Sequence, residues 1–211
     1  MERNDRAWYV AYGSNMCRDR LLAYLEGTVA PTDAGSAGGV AEAGSRSARY
    51  GPHRGCADAT PPTADRAVEL AHRVRFRGRS PRWGGGVAFL DLDVTDGICT
   101  PARAWLLTVD QVLGVVGQES RRPVDPPASL LEGLAVGGAV SLGGGWYDTL
   151  LRLPDIDGRR AVTVTTVQPL PLTEPTAAYL TTVAAGQAER PALPSDRREP
   201  TGPGGPGGSR R

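Results

Sequence analysis

Apolar positions in this chain fall into short runs and helical stripes, punctuated by Gly, Pro and Asp. Residues 8–12 are aromatic and β-branched, too short and too tightly bounded for a helix, and predict a buried strand. The run stops at Gly13-Ser14-Asn15. Gly13 is expected to permit a turn forbidden to most residues. Ser14 or Asn15 is expected to cap the helix that follows, where Cys17, Leu21, Tyr24 and Leu25 share a face before Gly27 ends it. Thr108-Val109-Asp110-Gln111 has the S/T-x-x-Q form of a capping box, which starts a helix after residues 105–107 and carries it through Gln118-Glu119. Further strands are predicted over 72–77, 86–92, 102–107, 139–142, 149–153 and 160–167, with Asp157-Gly158 closing the last two in a type I′ turn. A final helix is predicted over 174–185, with Thr173 as N-cap, Pro175 in its first turn and Gly186 just past its end. Strands mixed with short helices, in no regular βαβ alternation, indicate an α+β fold.

Two of these elements carry candidate chemistry. A strand, a Gly-Ser-Asn turn and a helix start aim several backbone N–H groups at one spot, which suits a carboxylate or a developing oxyanion. On the second helix, Val112, Val115, Val116 and Glu119 occupy positions i, i+3, i+4 and i+7, so the core-facing stripe carries a carboxylate. Burial raises a carboxylate's affinity for a proton and makes it a useful general base near neutrality. The structural alternatives are an ordinary strand-to-helix connection and a Glu at a helix end that reaches water or pairs with Arg121 or Arg122.

Taken in order, these segments resemble the γ-glutamylcyclotransferases and their relatives. Tyr9-x-Ala11-Tyr12-Gly13-Ser14-Asn15 looks like that family's Y-F-A-Y-G-S-N loop, and Trp83-Gly84-Gly85-Gly86-Val87-Ala88 is similar to its W-x-G-G-I/V-A strand. Trp105 ahead of Gln118-Glu119 resembles the family's W-x(12)-Q-E arrangement, and Gly145-Trp146-Tyr147 its G-x-Y. The resemblance implies a small mixed-sheet β-barrel flanked by short helices. It further implies Glu119 as catalytic acid/base and a substrate site formed by Tyr12, Gly13, Ser14, Asn15 and Tyr147. The implied reaction is cyclisation of a small-molecule γ-glutamyl compound to 5-oxoproline with release of an amine or amino acid, as in glutathione metabolism, with neither metal nor other cofactor. A hydrolase or acyltransferase on the same scaffold, or a non-catalytic carboxylate-binding module, would use the same residues. The chain departs from the pattern in a Gly/Ala/Pro-rich spacer at 28–62 and a Pro- and Gly-rich insertion at 123–144.

Composition adds boundaries. With 211 residues, the chain reads as one domain over 7–186 and a Pro/Gly/Arg-rich tail over 187–211, expected to be disordered because it has too little apolar surface to offset its ordering entropy. No apolar run is long enough to span a membrane, and the charged residues at 1–6 do not form a signal peptide, so a cytoplasmic protein is expected. Cys17, Cys56 and Cys99 are unclustered, which argues for reduced thiols and against a zinc site. The charge is +1, from 24 basic and 23 acidic residues, and every basic residue is an arginine. The alternating arginines at 73–79 predict a solvated or carboxylate-paired strand face, since a net charge near zero lacks the field that nucleic acid requires. His72, at a strand start, and His53, in the spacer, leave few candidates for a serine triad. Neither Gly84-Gly85-Gly86 nor Gly143-Gly144-Gly145 matches a nucleotide-binding pattern. Oligomeric state has no signature in the chain.

Overall fold

The computed structural model describes residues 5–28 and 46–193. The rest of the 28–62 spacer, at 29–45, and the tail from 194 onward lie outside them. Along the chain come β1 (Arg6–Ala11), a 3₁₀ turn (Ser14–Met16), α1 (Arg18–Glu26), α2 (Arg46–Tyr50), β2 (Ala64–Leu70), β3 (His72–Arg77), β4 (Val87–Val94) and β5 (Thr100–Thr108). They are followed by α3 (Val109–Glu119), α4 (Ser129–Glu132), β6 (Ala139–Ser141), β7 (Thr149–Ile156), β8 (Arg159–Thr165) and α5 (Ala177–Ala188).

Six strands form one mixed sheet in the order β2-β5-β1-β8-β7-β6, and β3 and β4 form a separate antiparallel ribbon. The fold is therefore α+β, but among the described residues the expected mixed-sheet barrel does not close: an open sheet has the ribbon against it. The junction is a side chain, since Leu90 N–H donates to the Thr165 hydroxyl at 2.9 Å and that hydroxyl donates to the Leu90 carbonyl at 2.6 Å. A threonine at the end of β8 thus links the ribbon to the sheet.

β1 sits in the middle of the sheet, antiparallel to β5 and parallel to β8. Its residues alternate between two cores. Ala7, Tyr9 and Ala11 face α1 and α3, whereas Trp8, Val10 and Tyr12 face the ribbon and α5. A strand covered on both faces has to be apolar throughout, which explains the unbroken run in the sequence. The capping box of α3 is present: Thr108 accepts from the Gln111 N–H, and Gln111 returns a bond to the Thr108 N–H.

Several local expectations are corrected. α1 is capped by neither Ser14 nor Asn15; the 3₁₀ turn intervenes, Cys17 is the N-cap and makes no side-chain cap bond, and Asn15 turns inward. The last helix starts three residues late, with Thr176 rather than Thr173 accepting the cap bond, and Gly186 lies inside the helix against Met16 and Cys17. β2 was not anticipated at all. At the β7–β8 turn, Asp157 and Gly158 have φ of 51° and 68°, as a type I′ turn requires. On the ribbon, Arg75 and Arg77 both pair with Asp91 of β4, the carboxylate-paired face expected there. Beyond residue 186, α5 continues to Ala188, and the Glu189 carboxylate accepts from Arg18 N–H and Arg103.

No helix among the described residues is long and apolar enough to cross a membrane. Cys17 is buried, Cys56 half-buried and Cys99 exposed, all as free thiols.

Candidate functional site

The strand β1 ends where the 3₁₀ turn begins, and α3 ends beside it. Glu119, the last residue of α3, projects from a stripe whose other members, Val112, Val115 and Val116, are fully buried. The carboxylate itself is only half-buried and faces a cavity of about 510 Å³. Its Oε1 accepts a 2.5 Å hydrogen bond from Asn15 Nδ2, which also donates to the Tyr9 hydroxyl at 3.2 Å. Trp105 locks the other end of Asn15, its indole N–H donating to the Asn15 carbonyl at 3.0 Å. Tyr9, Asn15, Trp105 and Glu119, distant in sequence, are thus one unit. Pairing of Glu119 with the arginines that follow it does not occur: Arg122 turns away to the Leu142 carbonyl.

A smaller recess of about 30 Å³ adjoins the cavity, and Ser14, Glu119 and Tyr147 line both. Tyr12, Gly13 and Asn15 line the recess alone. All six expected site residues therefore meet around one carboxylate. Gly13 has a different physical reason from the one expected: its φ is −124°, open to any residue, but a Cβ there would sit 2.8 Å from the Tyr179 hydroxyl. The glycine is required by space rather than by handedness. Gly145 does need positive φ, 65°, and a Cβ would sit 2.5 Å from the Ser120 carbonyl; this close approach to the end of α3 delivers Trp146 and Tyr147 to the cavity beside Glu119.

Tyrosines surround the carboxylate. Burial pushes the Tyr9 hydroxyl well above its ordinary range, and the charge of Glu119 pushes it further. Tyr12, Tyr24 and Tyr147 are likewise raised, chiefly by burial, and Tyr179 is raised to about 12. These phenols are protonated at any physiological pH. Tyr12 donates to the Val164 carbonyl at 2.7 Å and Tyr147 to the Ala88 carbonyl at 2.9 Å, so both rings are held by backbone. Tyr179 receives the Ala88 N–H at 3.0 Å, and the Ser14 amide offsets part of its upward shift.

The far wall of the cavity was not anticipated. Arg20, on α1, is 7% exposed and donates to the Tyr50 carbonyl, to His53 Nε2 at 2.8 Å and to the Tyr24 hydroxyl at 2.9 Å. His53 is thus brought to the site instead of lying in a loose spacer. Burial, reinforced by Arg20, lowers its pKa to about 4, so the ring is neutral and accepts the bond. The signal available in the sequence was the i, i+4 spacing of Arg20 and Tyr24, which puts both on one face of α1. His72, the other histidine, is buried and bonded through Nδ1 to the Asp91 carbonyl, a structural position.

No protein-family model matches the chain, and no curated protein matches its sequence. Among solved structures, the chain is similar to the crystal structure of loc79017 from Homo sapiens, described as an uncharacterized protein, at 14% identity and a TM-score of 0.48, over 92% of this chain and 84% of the other. It is also similar to a structure described as a gamma-glutamyl cyclotransferase, at 12% identity and a TM-score of 0.48, over 88% of this chain and 80% of the other. These are distant likenesses of overall shape.

Proposed function

We propose that the protein is a γ-glutamylcyclotransferase-like enzyme that cleaves a γ-glutamyl amide by intramolecular attack. The observation that carries this reading is the Glu119 carboxylate, held by Asn15 at 2.5 Å where the large cavity meets the Gly13–Asn15 recess. In the reaction the substrate's α-amine forms a bond to its own γ-carbonyl carbon, the γ-amide C–N bond breaks, and 5-oxoproline and an amine are released. Glu119 takes the proton that the amine loses and returns one to the leaving nitrogen. The enzyme's further task is to fold the γ-glutamyl group into attack geometry, for which the cavity of about 510 Å³ beside Glu119 has the room. Backbone groups of Gly13, Ser14 and Asn15 face the α-carboxylate or the carbonyl oxygen as charge develops, while Tyr12 and Tyr147 wall the recess.

A serine nucleophile finds no support. Among the described residues neither histidine bonds to Ser14, since His53 is engaged by Arg20 and His72 by Asp91. The test is mass spectrometry for 5-oxoproline after incubation with γ-glutamyl dipeptides and γ-glutamylamines. Ring-closed product supports the proposal, whereas free glutamate without 5-oxoproline would transfer Glu119 to the activation of water and make the protein a hydrolase.

A further inference from the structure

The turn that carries Asn15 is fastened from behind by the end of α5. α1 begins without a side-chain cap at Cys17, yet its first amide is bonded: Arg18 N–H donates to the Glu189 carboxylate at 2.8 Å. Glu189 follows α5 directly and lies in the stretch whose composition predicts disorder. A carboxylate at a helix N-terminus satisfies amides that lack an intrahelical partner and complements the positive end of the helix. The same oxygen accepts from Arg103 at 3.1 Å, and Arg103, 5% exposed, donates to the Met16 carbonyl at 3.0 Å. The Arg103 guanidinium also lies 3.9 Å from the ring centre of Trp105, whose indole N–H grips the Asn15 carbonyl.

Charge balance does not account for Glu189. Asp65 already answers Arg103, accepting from two of its nitrogens at 2.8 and 2.5 Å. What Glu189 adds is a link from Arg103 to the start of α1. The backbone closes the same contact: Gly186 lies so near the turn that a Cβ there would sit 2.4 Å from the Cys17 nitrogen and 2.5 Å from the Met16 carbonyl carbon. A glycine inside a helix is unfavourable, and here it is what lets α5 approach. With the start of α1 held from outside, the Asn15 side chain is free to turn to Glu119.

We propose that Glu189 is a positioning residue: with Arg103 and Gly186 it fixes the Ser14–Met16 turn, and thereby holds Asn15 against the Glu119 carboxylate. None of the three lines the cavity or the recess, so the effect on Glu119 runs through the turn. This rests on the cyclotransferase reading and adds to it a residue remote from the substrate.

The experiment is a double-variant cycle read by 5-oxoproline release from γ-glutamylalanine, with Glu189→Ala made in the parent and in Asn15→Ala. The Glu189 side chain is 40% accessible and Asp65 keeps Arg103 paired, so Glu189→Ala is expected to fold. Its kcat should fall about tenfold, the scale of a slightly misplaced catalytic group, with KM within about threefold. In Asn15→Ala, where the tether is already gone, Glu189→Ala should lower kcat little further, although it lowers the melting temperature equally in both backgrounds. A general loosening of the fold would instead lower kcat by the same factor in both, which overturns the proposal, as does an unchanged kcat in the folded single variant. Glu189→Gln keeps an oxygen for Arg18 N–H without the charge; should Glu189→Ala not fold, it takes that variant's place in the cycle under the same criteria. If the parent releases no 5-oxoproline, the cyclotransferase reading fails, and amide hydrogen exchange then decides the positioning role. Faster exchange in the Glu189 variant confined to peptides spanning 13–18 supports it; exchange there equal to the parent's, or raised uniformly along the chain, overturns it.

Discussion

Replacing Glu119 by Gln probes the mechanism at its centre. Gln retains an oxygen that accepts from Asn15 Nδ2, so the 2.5 Å contact and the link through Asn15 to Trp105 survive the change. What disappears is the ability to take up a proton. Positioned acid–base groups contribute about 10²–10⁴ in rate, equivalent to about 2.7–5.4 kcal/mol of barrier at 1.36 kcal/mol per tenfold. Glu119 is the one acidic residue among those lining the cavity, so no neighbour can take over, and a loss of about 10³ in kcat is expected. Substrate binding should change little, with KM within about threefold, because the carboxylate is not needed to hold a γ-glutamyl group. Stability should stay within about 0.5 kcal/mol, as for other substitutions that leave packing intact. The assay is 5-oxoproline release at saturating substrate, with circular dichroism to show that the variant is folded. A kcat within about threefold of the parent in a folded variant would refute proton transfer by Glu119.

Four further outcomes follow from particular contacts. Asn15→Ala frees the carboxylate but keeps the backbone carbonyl that Trp105 grips, so kcat should fall about tenfold or more with little change in melting temperature; unchanged kcat would mean that the tether is irrelevant. Gly13→Ala drives a methyl toward the Tyr179 hydroxyl, 2.8 Å from where its Cβ would lie, and should lower both stability and turnover. Combining it with Tyr179→Phe should recover part of the loss, and a double variant no better than Gly13→Ala would point to backbone distortion instead. Asp65→Ala strips the nearly buried Arg103 of its 2.5 Å partner and should destabilise by about 3 kcal/mol in urea titrations, whereas a change below about 1 kcal/mol, the scale of an exposed ion pair, would show that Glu189 suffices. His53, with its pKa lowered from 6.5 to about 4 by burial, is neutral when folded, so the unfolded chain binds more protons between these values. Its contribution to stability is therefore complete above pH 6.5 and lost as pH falls toward 4, and His53→Gln should flatten that slope; parallel profiles for the two proteins would contradict it.

What was legible in the sequence was local. The capping box of α3 and the strand β1 each declare themselves within a few residues, and the order of Tyr12–Asn15, Glu119 and Tyr147 pointed to residues that the fold does gather. β2 escaped notice because it is an edge strand whose charged positions are satisfied from elsewhere: Asp65 pairs with Arg103 and Arg66 with Asp157, while Ala67 and Leu70 alone are buried. His53 could not be located because its position comes from a tertiary pairing of the chain after α1, in which Thr28 N–H bonds to the His53 carbonyl and Cys56 N–H to the Leu25 carbonyl. Gly13 was identified for a reason that proved incomplete. Its φ is not left-handed, and the arrival of Tyr179 from α5, more than 160 residues away by the numbering, makes a side chain intolerable there.

Burial sets the protonation of the tyrosines around Glu119. With every nearby phenol raised by burial, none can accept a proton at neutral pH, and none adds a charge that would compete with the substrate's own. Yet their hydroxyls are not equivalent. Those of Tyr12 and Tyr147 are spent on backbone carbonyls, so these rings shape the recess without entering the chemistry. Tyr24 differs: it accepts from Arg20 at 2.9 Å, which leaves its own O–H to bear on the Glu119 carboxylate, whose charge and hydrogen bond both raise it. Arg20, Tyr24 and Glu119 are thus linked through one phenol, so the carboxylate at the end of α3 is held from two sides, by Asn15 and by Tyr24.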